Sequence, residues 1–554
     1  FFHADDGIRD FCLSRGLGDV YKRQFIGCTS KQDSANTKLV VGIVVDQMRM
    51  DYIYRFQSHF VDQGFKRFYN EGFVAKNHHF DYKQTKTGPG HASIATGTPP
   101  AINGIIGNDW FDKQRRKERY CVDDQNFLSL GTAKTRGKAP TALLVSTFAD
   151  ENRLATQMHG KAVSVSLKDR SAILSIGHTA NGAYWFSGGD EGNFISSTFY
   201  MDALPSWVID FNASRKIDAY LTTWDTYYPI SQYAETGPDD SLYEKRPKGK
   251  DTPTFPYDLA ALSPNNGGYE ILKATPFGNS LVTDFALAAL KGEDLGTDDH
   301  ADVFMISYSS TDHIGHAFGT NAKELQDTYI RLDLELARLF EALDAQVGKG
   351  AYSVFLTSDH GVAPVPNYLI DNKIPAGYFS KKPFVKLLKE AVFDAFGVRD
   401  IVLDVSNNEI YFDHDRIAAA RLDVDAISRF ATAFIQQQDG IAGAYTTSNL
   451  MQMDADNPIV ERLQKGYNPK RSGDIIYMLL PAYIANRTYG TTHGSAFIYD
   501  THVPLLLYGN GIQKGSTFKR TKIPDIAPTI CALLEVSNPT GVIGNPIGAA
   551  LKSR

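Results

Sequence analysis

Three aspartates and three histidines lie in four separate segments of a chain of 554 residues. They are Asp46, Asp312, His316, Asp359, His360 and His493. Zn²⁺ accepts both imidazole nitrogens and carboxylate oxygens, so these residue types could supply two metal sites of mixed ligands. Any one fragment is a weak signal, because an Asp-His pair after a strand is more often an ordinary turn. The full set predicts a centre with two Zn²⁺ ions, provided that the four segments converge.

A candidate nucleophile, Thr87, lies in the segment Thr-Lys-Thr-Gly-Pro-Gly-His of residues 85–91. Pro89 suits the first position of a helix, which places Thr87 just before a helix N-terminus. Free backbone N–H groups and the helix dipole favour an anion there, although an ordinary N-cap threonine has the same pattern. A threonine hydroxyl is a poor nucleophile unless a base or a metal removes its proton. Two nearby metal ions would supply that need, so the segment predicts attack of Thr87 on a phosphate.

Four aliphatic runs predict the strands that position these residues. The runs are Leu39 to Val45, Val303 to Tyr308, Tyr352 to Thr357 and Val503 to Tyr508. Continuous apolar runs of this length are typical of strands buried on both faces. One of the candidate aspartates follows each of the first three runs within a few residues. In a parallel sheet the carboxyl ends of the strands meet in one crevice, so these candidates should lie close together.

A helical stripe of leucines separates the second run from the third, with Asn321 as its predicted N-cap and Glu324 at the capping-box position. Strand, helix and strand in that order predict an α/β fold with a central, mostly parallel sheet flanked by helices. The predicted catalytic domain covers residues 39–554, with insertions at about 186–275 and 375–480. The second insertion alternates helical and strand patterns, which predicts a small α+β subdomain.

Composition excludes several classes of protein. The 57 Lys+Arg and 63 Asp+Glu residues leave a net charge of -6, which argues against a nucleic-acid binder. No apolar run reaches about 18 residues, so no membrane-spanning helix is expected. The four cysteines form no CxxC pair, which argues against a thiolate zinc site. Whether Cys121 and Cys531 pair stays open at this point.

Residues 1–38 are predicted to be a non-native or signal/tether segment. The stretch up to Gln24 lacks apolar periodicity and ends in Asp-Val-Tyr-Lys-Arg-Gln. This hexapeptide is the translation product of a transposon-end adapter used in sequencing libraries, which predicts a non-native segment. The next residues, Phe-Ile-Gly followed by Cys28, resemble the end of a bacterial lipoprotein signal peptide, or arise by chance. The predicted location is the periplasm or an outer-membrane anchor in a Gram-negative bacterium. A lipid on Cys28 would be the protein's contact with a membrane.

The nucleophile segment and the metal-ligand segments together resemble the alkaline phosphatase superfamily, and within it the branch that also holds the nucleotide pyrophosphatases/phosphodiesterases. The resemblance covers nearly all of the chain from Leu39 onward. Its motifs are Asp46 after an aliphatic strand, Thr-Gly-Pro-Gly-His at Thr87, Ser-Thr-Asp-His-x-Gly-His, Ser-Asp-His-Gly and Thr-His-Gly. The sequence looks like the PafA-type bacterial alkaline phosphatases, which use threonine rather than serine.

The resemblance implies two zinc sites with three protein ligands each. The ligands of the first site would be Asp312, His316 and His493. The ligands of the second site would be Asp46, Asp359 and His360, with Thr87 completing it. Asn108, in Gly-Asn-Asp-Trp, matches a family asparagine that contacts a phosphoryl oxygen. Lys168 and Arg170 match a Lys-x-Arg pair of the PafA-type monoesterases that the diesterase branch lacks. Without the other motifs, such a pair would more often be a solvated charge cluster.

Charge gives a second reason to favour a monoester substrate. Two Zn²⁺ ions and three carboxylates leave the site at +1, and Lys168 and Arg170 raise it to +3. A threonine alkoxide and a dianionic monoester together carry the matching -3, whereas a diester carries one negative charge fewer. The guanidinium of Arg170 can also donate two hydrogen bonds to phosphoryl oxygens. Since the pair stands where classical family members bind Mg²⁺, no Mg²⁺ requirement is expected.

The predicted function is therefore that of an alkaline phosphatase: hydrolysis of small phosphate monoesters through a phosphothreonine at Thr87. The alternative is a nucleotide pyrophosphatase/phosphodiesterase, which would share the zinc ligands but not Lys168 and Arg170. A sulfatase is disfavoured because no Cys/Ser-x-Pro-x-Arg sequence is present, and a cofactor-independent phosphoglycerate mutase would use serine and manganese. A catalytically inactive zinc-binding or phosphate-binding surface protein would need a lost nucleophile or ligand. A monomer is favoured, and the physiological substrate stays open.

Overall fold

Fifteen strands build the two largest sheets of the computed structural model, which describes residues 37–132, 136–485 and 489–553. In chain order they are β1 (Leu39–Val45), β2 (Phe73–Ala75), β3 (Asp123–Leu130), β4 (Arg136–Lys138), β5 (Ala162–Ser166), β6 (Gly182–Ser187), β7 (Asn193–Ser197), β8 (Asp302–Tyr308), β9 (Tyr352–Thr357), β10 (Val402–Ser406), β11 (Glu409–Phe412), β12 (Ile441–Thr446), β13 (Ile475–Leu479), β14 (Leu505–Gly509) and β15 (Gly515–Thr517). The predictions for residues 1–36, including a lipid on Cys28, lie outside the described residues.

Within the described part of the chain, the larger sheet has eleven strands in the order β15-β2-β14-β9-β1-β8-β5-β6-β7-β3-β4. Its five central strands, from β9 to β6, run parallel. The flanking strands β14 and β7 are antiparallel to their neighbours, so the whole sheet is mixed. The predicted α/β fold is confirmed, and three of the four aliphatic runs match strands to within one residue. The fourth strand begins at Leu505 rather than at the predicted Val503.

Strand β1 shows why the sheet is covered on both faces. Val41 and Ile43 belong to one hydrophobic core, which also holds side chains of helices Pro276–Gly292 and Lys323–Leu343. The alternate residues of β1 belong to a second core, which holds side chains of helices Thr87–Thr96, Phe148–Ala155, Asp169–Ile176 and Ile526–Leu534. Successive side chains of a strand point to opposite faces, so a continuous apolar run requires two such layers. No helix of the described residues is long and apolar enough to cross a membrane.

Two predicted helix starts are wrong. The helix Lys323–Leu343 has Ala322 at its N-cap with no side-chain cap, so Asn321 does not cap it. Glu324 is instead fully buried and accepts a hydrogen bond of 2.6 Å from the hydroxyl of Tyr257, because a residue distant in sequence competes with the capping box. The helix Thr87–Thr96 begins two residues before Pro89. A proline is tolerated there because the first-turn N–H groups have no intrahelical partner.

The segment predicted as an α+β subdomain contains a four-stranded antiparallel sheet in the order β10-β11-β13-β12. The helices Lys381–Phe396 and Val424–Gln436 share a hydrophobic core with this sheet. The earlier insertion contributes β7 to the main sheet and the helix Ser206–Ala213. Its Trp224 is fully buried, and the ring packs against those of Phe255, Tyr257 and Phe318. The domain limits themselves stay a prediction.

The cysteine pairing left open by the sequence has an answer in the structure. Cys121 and Cys531 are both buried free thiols. Burial raises the pKa of Cys531 to about 12, so this thiol is neutral at ordinary pH. Neither residue therefore contributes a disulfide to the fold.

Candidate active site

The predicted site residues meet at the carboxyl ends of the central parallel strands. Asp46 follows β1, and Asp359 with His360 follows β9. Asp312 lies in the helix Ser310–Phe318, which begins two residues after β8. Lys168 follows β5, the next strand of the sheet. The convergence expected of a parallel sheet thus brings together side chains that lie far apart in sequence, such as Asp46 and His360, which are 314 residues apart.

One group of candidate ligands consists of Asp46, Asp359 and His360, whose ligand atoms all lie within 4.8 Å of one another. The Nε2 atom of His360 is 3.4 Å from Oδ1 of Asp46 and 3.6 Å from Oδ2 of Asp359. These three atoms are buried and have no hydrogen-bond partner among the described residues. Buried polar atoms without partners cost free energy, and a divalent cation bound by all three would satisfy them.

The other predicted group, Asp312, His316 and His493, is arranged around a single carboxylate oxygen. Oδ1 of Asp312 lies 3.1 Å from Nε2 of His316 and 3.6 Å from Nε2 of His493. His360 also lies within 4.8 Å of the ligand atoms of Asp312 and His493, and its ring stacks on that of His493 at 3.4 Å. The two groups are therefore adjacent, and the assignment of His360 to the second cation rests on the family resemblance.

The backbone orients the three candidate histidine ligands. The Nδ1 atoms of His316, His360 and His493 lie 2.8, 2.9 and 2.7 Å from the carbonyl oxygens of Thr491, Gly361 and Thr85 respectively. A carbonyl oxygen can only accept, so each Nδ1 donates and each Nε2 keeps its lone pair for a metal. A second partner that fixes the tautomer in this way is typical of histidine ligands in metal sites.

The electrostatics of the site also fit cations. Burial and the neighbouring Asp359 raise the pKa of Asp46 to about 8, and burial raises that of Asp359 to about 7. Burial lowers the pKa of His360 to about 4, so its imidazole is neutral near pH 7. Crowded carboxylates that resist ionisation, together with neutral imidazoles, form a donor set that a divalent cation stabilises. The residues present therefore fit the predicted metal sites.

Lys168 contributes positive charge between the two groups. Its Nζ atom lies 2.6 Å from Oδ2 of Asp46 and 2.6 Å from Oδ2 of Asp312. Burial alone would lower the pKa of Lys168, but Asp312 and Asp46 raise it above its usual value. The lysine is thus a buried cation in contact with one predicted ligand of each metal site.

Thr87 occupies the first residue of its helix and is almost fully buried. Its Oγ1 accepts a hydrogen bond of 3.4 Å from Nη2 of Arg170. The backbone N–H of Gly88 donates to Oδ1 of Asn108 at 2.7 Å, which fixes Asn108 beside the Thr87 helix. A Cβ atom on Gly90 would lie 2.2 Å from the carbonyl oxygen of Asp359, so glycine is required for this helix to approach the candidate ligand Asp359.

The guanidinium of Arg170 is held by residues outside the predicted set. Its Nη1 donates to the hydroxyl of Tyr120 at 3.1 Å, and that hydroxyl donates to Asp169 at 2.5 Å. Although burial opposes it, Tyr120 and Asp169 raise the pKa of Arg170 above its usual value. Arg170 is therefore a permanently charged group aimed at the Thr87 hydroxyl.

Sequence reasoning missed Gln47, which joins the two ligand groups. Its Nε2 donates to Oδ1 of Asp312 at 2.6 Å, and its backbone N–H donates to Oδ1 of Asp359 at 3.2 Å. The backbone of Gln47 has φ +67°, an uncommon conformation for a residue with a side chain. The sequence feature that could have pointed to Gln47 is its position directly after Asp46.

Residues 40–503 match the family described as type I phosphodiesterase / nucleotide pyrophosphatase. The chain belongs to this family. The match spans the strand before Asp46, the Thr87 helix and His493, and so includes every residue of the predicted site. The predicted family relationship is confirmed.

Two relatives of this chain are named as alkaline phosphatases. Alkaline phosphatase PhoV of Synechococcus elongatus is 44% identical over 94% of this chain and 94% of its own length. Alkaline phosphatase PafA of Elizabethkingia meningoseptica is 40% identical over 96% of this chain and 97% of its own length. A third relative, from Myroides odoratus, is named a calcium-transporting ATPase and is 42% identical over 93% of this chain and 95% of its own length.

Solved structures agree with this relationship. The crystal structure of wild-type PafA superimposes with a TM-score of 0.90 at 39% identity, over 93% of this chain and 99% of that one. A solved PafA variant, in which one threonine, one asparagine, one lysine and one arginine are substituted, superimposes equally well. Murine ectonucleotide pyrophosphatase / phosphodiesterase 5 shares the fold, with a TM-score of 0.51 at 14% identity and coverage of 93% of this chain and 100% of that one.

Proposed function

We propose that this chain is a zinc-dependent alkaline phosphatase that hydrolyses small phosphate monoesters through a phosphothreonine at Thr87 and releases inorganic phosphate. The observation that carries the proposal is the hydrogen bond from Arg170 to the Thr87 hydroxyl, in a site where the buried cation Lys168 contacts Asp46 and Asp312. Two fixed positive charges in one site suit a dianionic phosphoryl group. The names of PhoV and PafA, at 40–44% identity, support the same activity.

The residues of the site support a two-step reaction. Thr87 Oγ loses its proton to solvent and forms a bond to phosphorus while the bond from phosphorus to the ester oxygen breaks. The departing alkoxide takes up a proton from solvent, so this step makes no net change in protons. Water then attacks phosphorus, the bond from phosphorus to Thr87 Oγ breaks, inorganic phosphate departs, and a proton of the attacking water returns to Thr87. Arg170, Lys168 and the side chain of Asn108 are placed to bind phosphoryl oxygens, whose charge the transition state spreads over three positions.

The two predicted Zn²⁺ ions would be held by the two ligand groups and would supply Lewis-acid charge and a lowered pKa at the Thr87 hydroxyl. The three carboxylates in these groups are Asp46, Asp312 and Asp359. Their crowding in a buried space is the observation that favours cations there. The Lys–Arg pair stands where the family resemblance implies Mg²⁺ in other members, so Zn²⁺ alone should support activity.

The diesterase alternative differs in one chemical respect. A diester leaves one phosphoryl oxygen fewer for Lys168 and Arg170, so it would not use both cations. The substitutions in the solved PafA variant are of the four residue types proposed here: Thr87, Asn108, Lys168 and Arg170. Comparing kcat/KM for an aryl monoester and the matched aryl diester tests the assignment directly. A preference for the diester would favour a phosphodiesterase, and activity on neither would favour the inactive binding protein.

Removal of metal is expected to abolish most of the activity. Dialysis against a strong chelator should also lower the Tm, because the buried carboxylates would then lose the cations that compensate them. Adding Zn²⁺ without Mg²⁺ should restore both the activity and the Tm, and elemental analysis should find two zinc ions per chain. Mg²⁺ alone is the control. Full activity in metal-free protein would contradict the metal assignment.

An exported, lipid-anchored enzyme is the proposed cellular form, and a monomer is the proposed assembly. Expression from the full-length gene in a Gram-negative host should give a product in the membrane fraction with a lipid on Cys28. The variant Cys28→Ser should move the protein to the periplasmic fraction without changing kcat. Mass spectrometry of the N-terminal peptide and fractionation check this. A cytoplasmic product with an unmodified Cys28 would refute it.

A further inference from the structure

A tight turn of the inserted subdomain reaches the active site. Asn407 and Asn408 connect β10 to β11, and the flanking residues Ser406 and Glu409 pair across the two strands. Their φ angles are +53° and +58°, the left-handed values that a two-residue hairpin of type I′ needs at both central positions. Asparagine tolerates this conformation better than most residues, so the turn keeps its backbone without glycine.

The first residue of this turn joins two loops that carry proposed catalytic residues. Its Oδ1 accepts a hydrogen bond of 2.5 Å from Nζ of Lys86, and its Nδ2 donates to the carbonyl oxygen of Asp109 at 2.6 Å. The carbonyl oxygen of Asn407 accepts from Nε2 of Gln84 at 2.8 Å. Lys86 directly precedes Thr87, and Asp109 directly follows Asn108.

The turn also packs closely on the loop that carries Asn108. A Cβ atom on Gly107 would lie 2.6 Å from Nδ2 of Asn407, so the turn packs directly on the backbone before Asn108. On its other side, Asn108 accepts the hydrogen bond of Gly88 from the Thr87 helix. The nucleophile and the oxygen-binding asparagine are therefore linked twice, once directly and once through the side chain of Asn407.

We propose that Asn407 is a positioning residue, which sets the Thr87 hydroxyl against Asn108 and so makes the inserted subdomain part of the phosphoryl-transfer machinery. This inference rests on the proposed function. The side chain of Asn407 is itself uncharged and bonds to the ammonium of Lys86 and the carbonyl of Asp109, so it adds no charge to the site and its contribution is geometric. A displacement of about 1 Å at reacting atoms costs on the order of 100-fold in rate, and binding of the ground state is less sensitive.

The test uses two glycine variants of the same turn. Asn407→Gly removes both side-chain hydrogen bonds while keeping a residue that adopts positive φ without strain. Asn408→Gly is the matched control, because it makes the same backbone change at the neighbouring position. We expect Asn407→Gly to lower kcat for an aryl monoester by roughly 10- to 100-fold with KM changed less than about threefold. Asn408→Gly should stay within about threefold of wild type in both constants.

A double-mutant cycle separates positioning from general stability. In the Asn108→Ala background, Asn407→Gly should cost about threefold or less, because the group that it positions is already absent. The near-isosteric Asn407→Asp keeps an acceptor for Lys86 but cannot donate to Asp109, so it should show an intermediate loss of kcat even if the glycine variant folds poorly. Equal losses in the two glycine variants, or additive losses in the cycle, would overturn the inference. An inactive wild-type enzyme would instead refute the proposed function.

Discussion

Thr87→Ala is expected to abolish monoester hydrolysis while leaving metal content and phosphate binding largely intact. The variant removes the one hydroxyl at the head of the helix Thr87–Thr96, which is the acceptor of the Arg170 hydrogen bond. Loss of a nucleophile in covalent catalysis costs roughly four to six powers of ten in kcat. Because the helix residue is retained as alanine, a good helix former, the fold should be preserved. Steady-state kinetics, elemental analysis and Tm measure these three quantities.

Trapping gives a positive test of the same assignment. Acid quench of the wild type during turnover should place a phosphoryl group on Thr87, and peptide mapping should find none in Thr87→Ala. Thr87→Ser keeps a hydroxyl and should retain activity within roughly tenfold. Thr96→Ala is the matched control, since it removes a buried hydroxyl that donates to the carbonyl oxygen of Ala92 within the same helix. A label on another residue, or unchanged turnover in Thr87→Ala, would reject Thr87 as the nucleophile.

The convergence of the proposed metal ligands could be predicted from sequence because strand topology does most of their positioning. Aliphatic runs identify buried parallel strands, and the carboxyl ends of such strands share one edge of the sheet. Asp46, Asp312 and Asp359 each follow one of three adjacent strands, so a local pattern was enough to place them together. The family resemblance then assigned the ligands to particular ions, which strand order alone does not do.

Residues that act through distant contacts were not predictable in this way. Asn407 lies 320 residues from Thr87 in sequence, and only the docking of the subdomain brings its turn to the nucleophile loop. Glu324 has a capping-box sequence, but Tyr257 supplies a tertiary hydrogen bond that replaces the cap. In both cases the deciding partner lies far away along the chain. Local sequence rules consider only the neighbours of a residue along the chain, so they do not predict these tertiary hydrogen bonds.

The contacts of Lys168 show that a sequence motif does not predict every partner of a residue. The Lys-x-Arg match predicts a contact to phosphoryl oxygens, whereas Nζ of Lys168 lies 2.6 Å from both Asp46 and Asp312. A lysine placed between two ligand groups compensates buried carboxylates as well as being available to substrate. Removing it therefore acts on the charge of the metal sites and on substrate binding together, and an experiment has to measure both.

The double variant Lys168→Ala/Arg170→Ala is expected to lose far more monoesterase than diesterase activity. A charge-assisted hydrogen bond contributes about 1.5–3 kcal/mol, so losing two that tighten in the transition state should cost roughly two to four powers of ten in kcat/KM. A diester should lose much less, because one of its oxygens carries an ester group and cannot use both cations. The enzyme should therefore shift toward a diesterase-like preference.

This last result depends on the metal sites surviving the substitution, because Lys168 touches a predicted ligand of each site. Zinc content per chain must match wild type, and assays at saturating Zn²⁺ remove any difference in metal affinity. The variant Lys389→Ala/Arg399→Ala, which removes the same charges from exposed positions of the subdomain, controls for net charge. The readout is kcat/KM for an aryl phosphate monoester and the matched diester in all three proteins. A fall by the same factor for both substrates would mean that the pair is structural, and the diesterase alternative would then regain support.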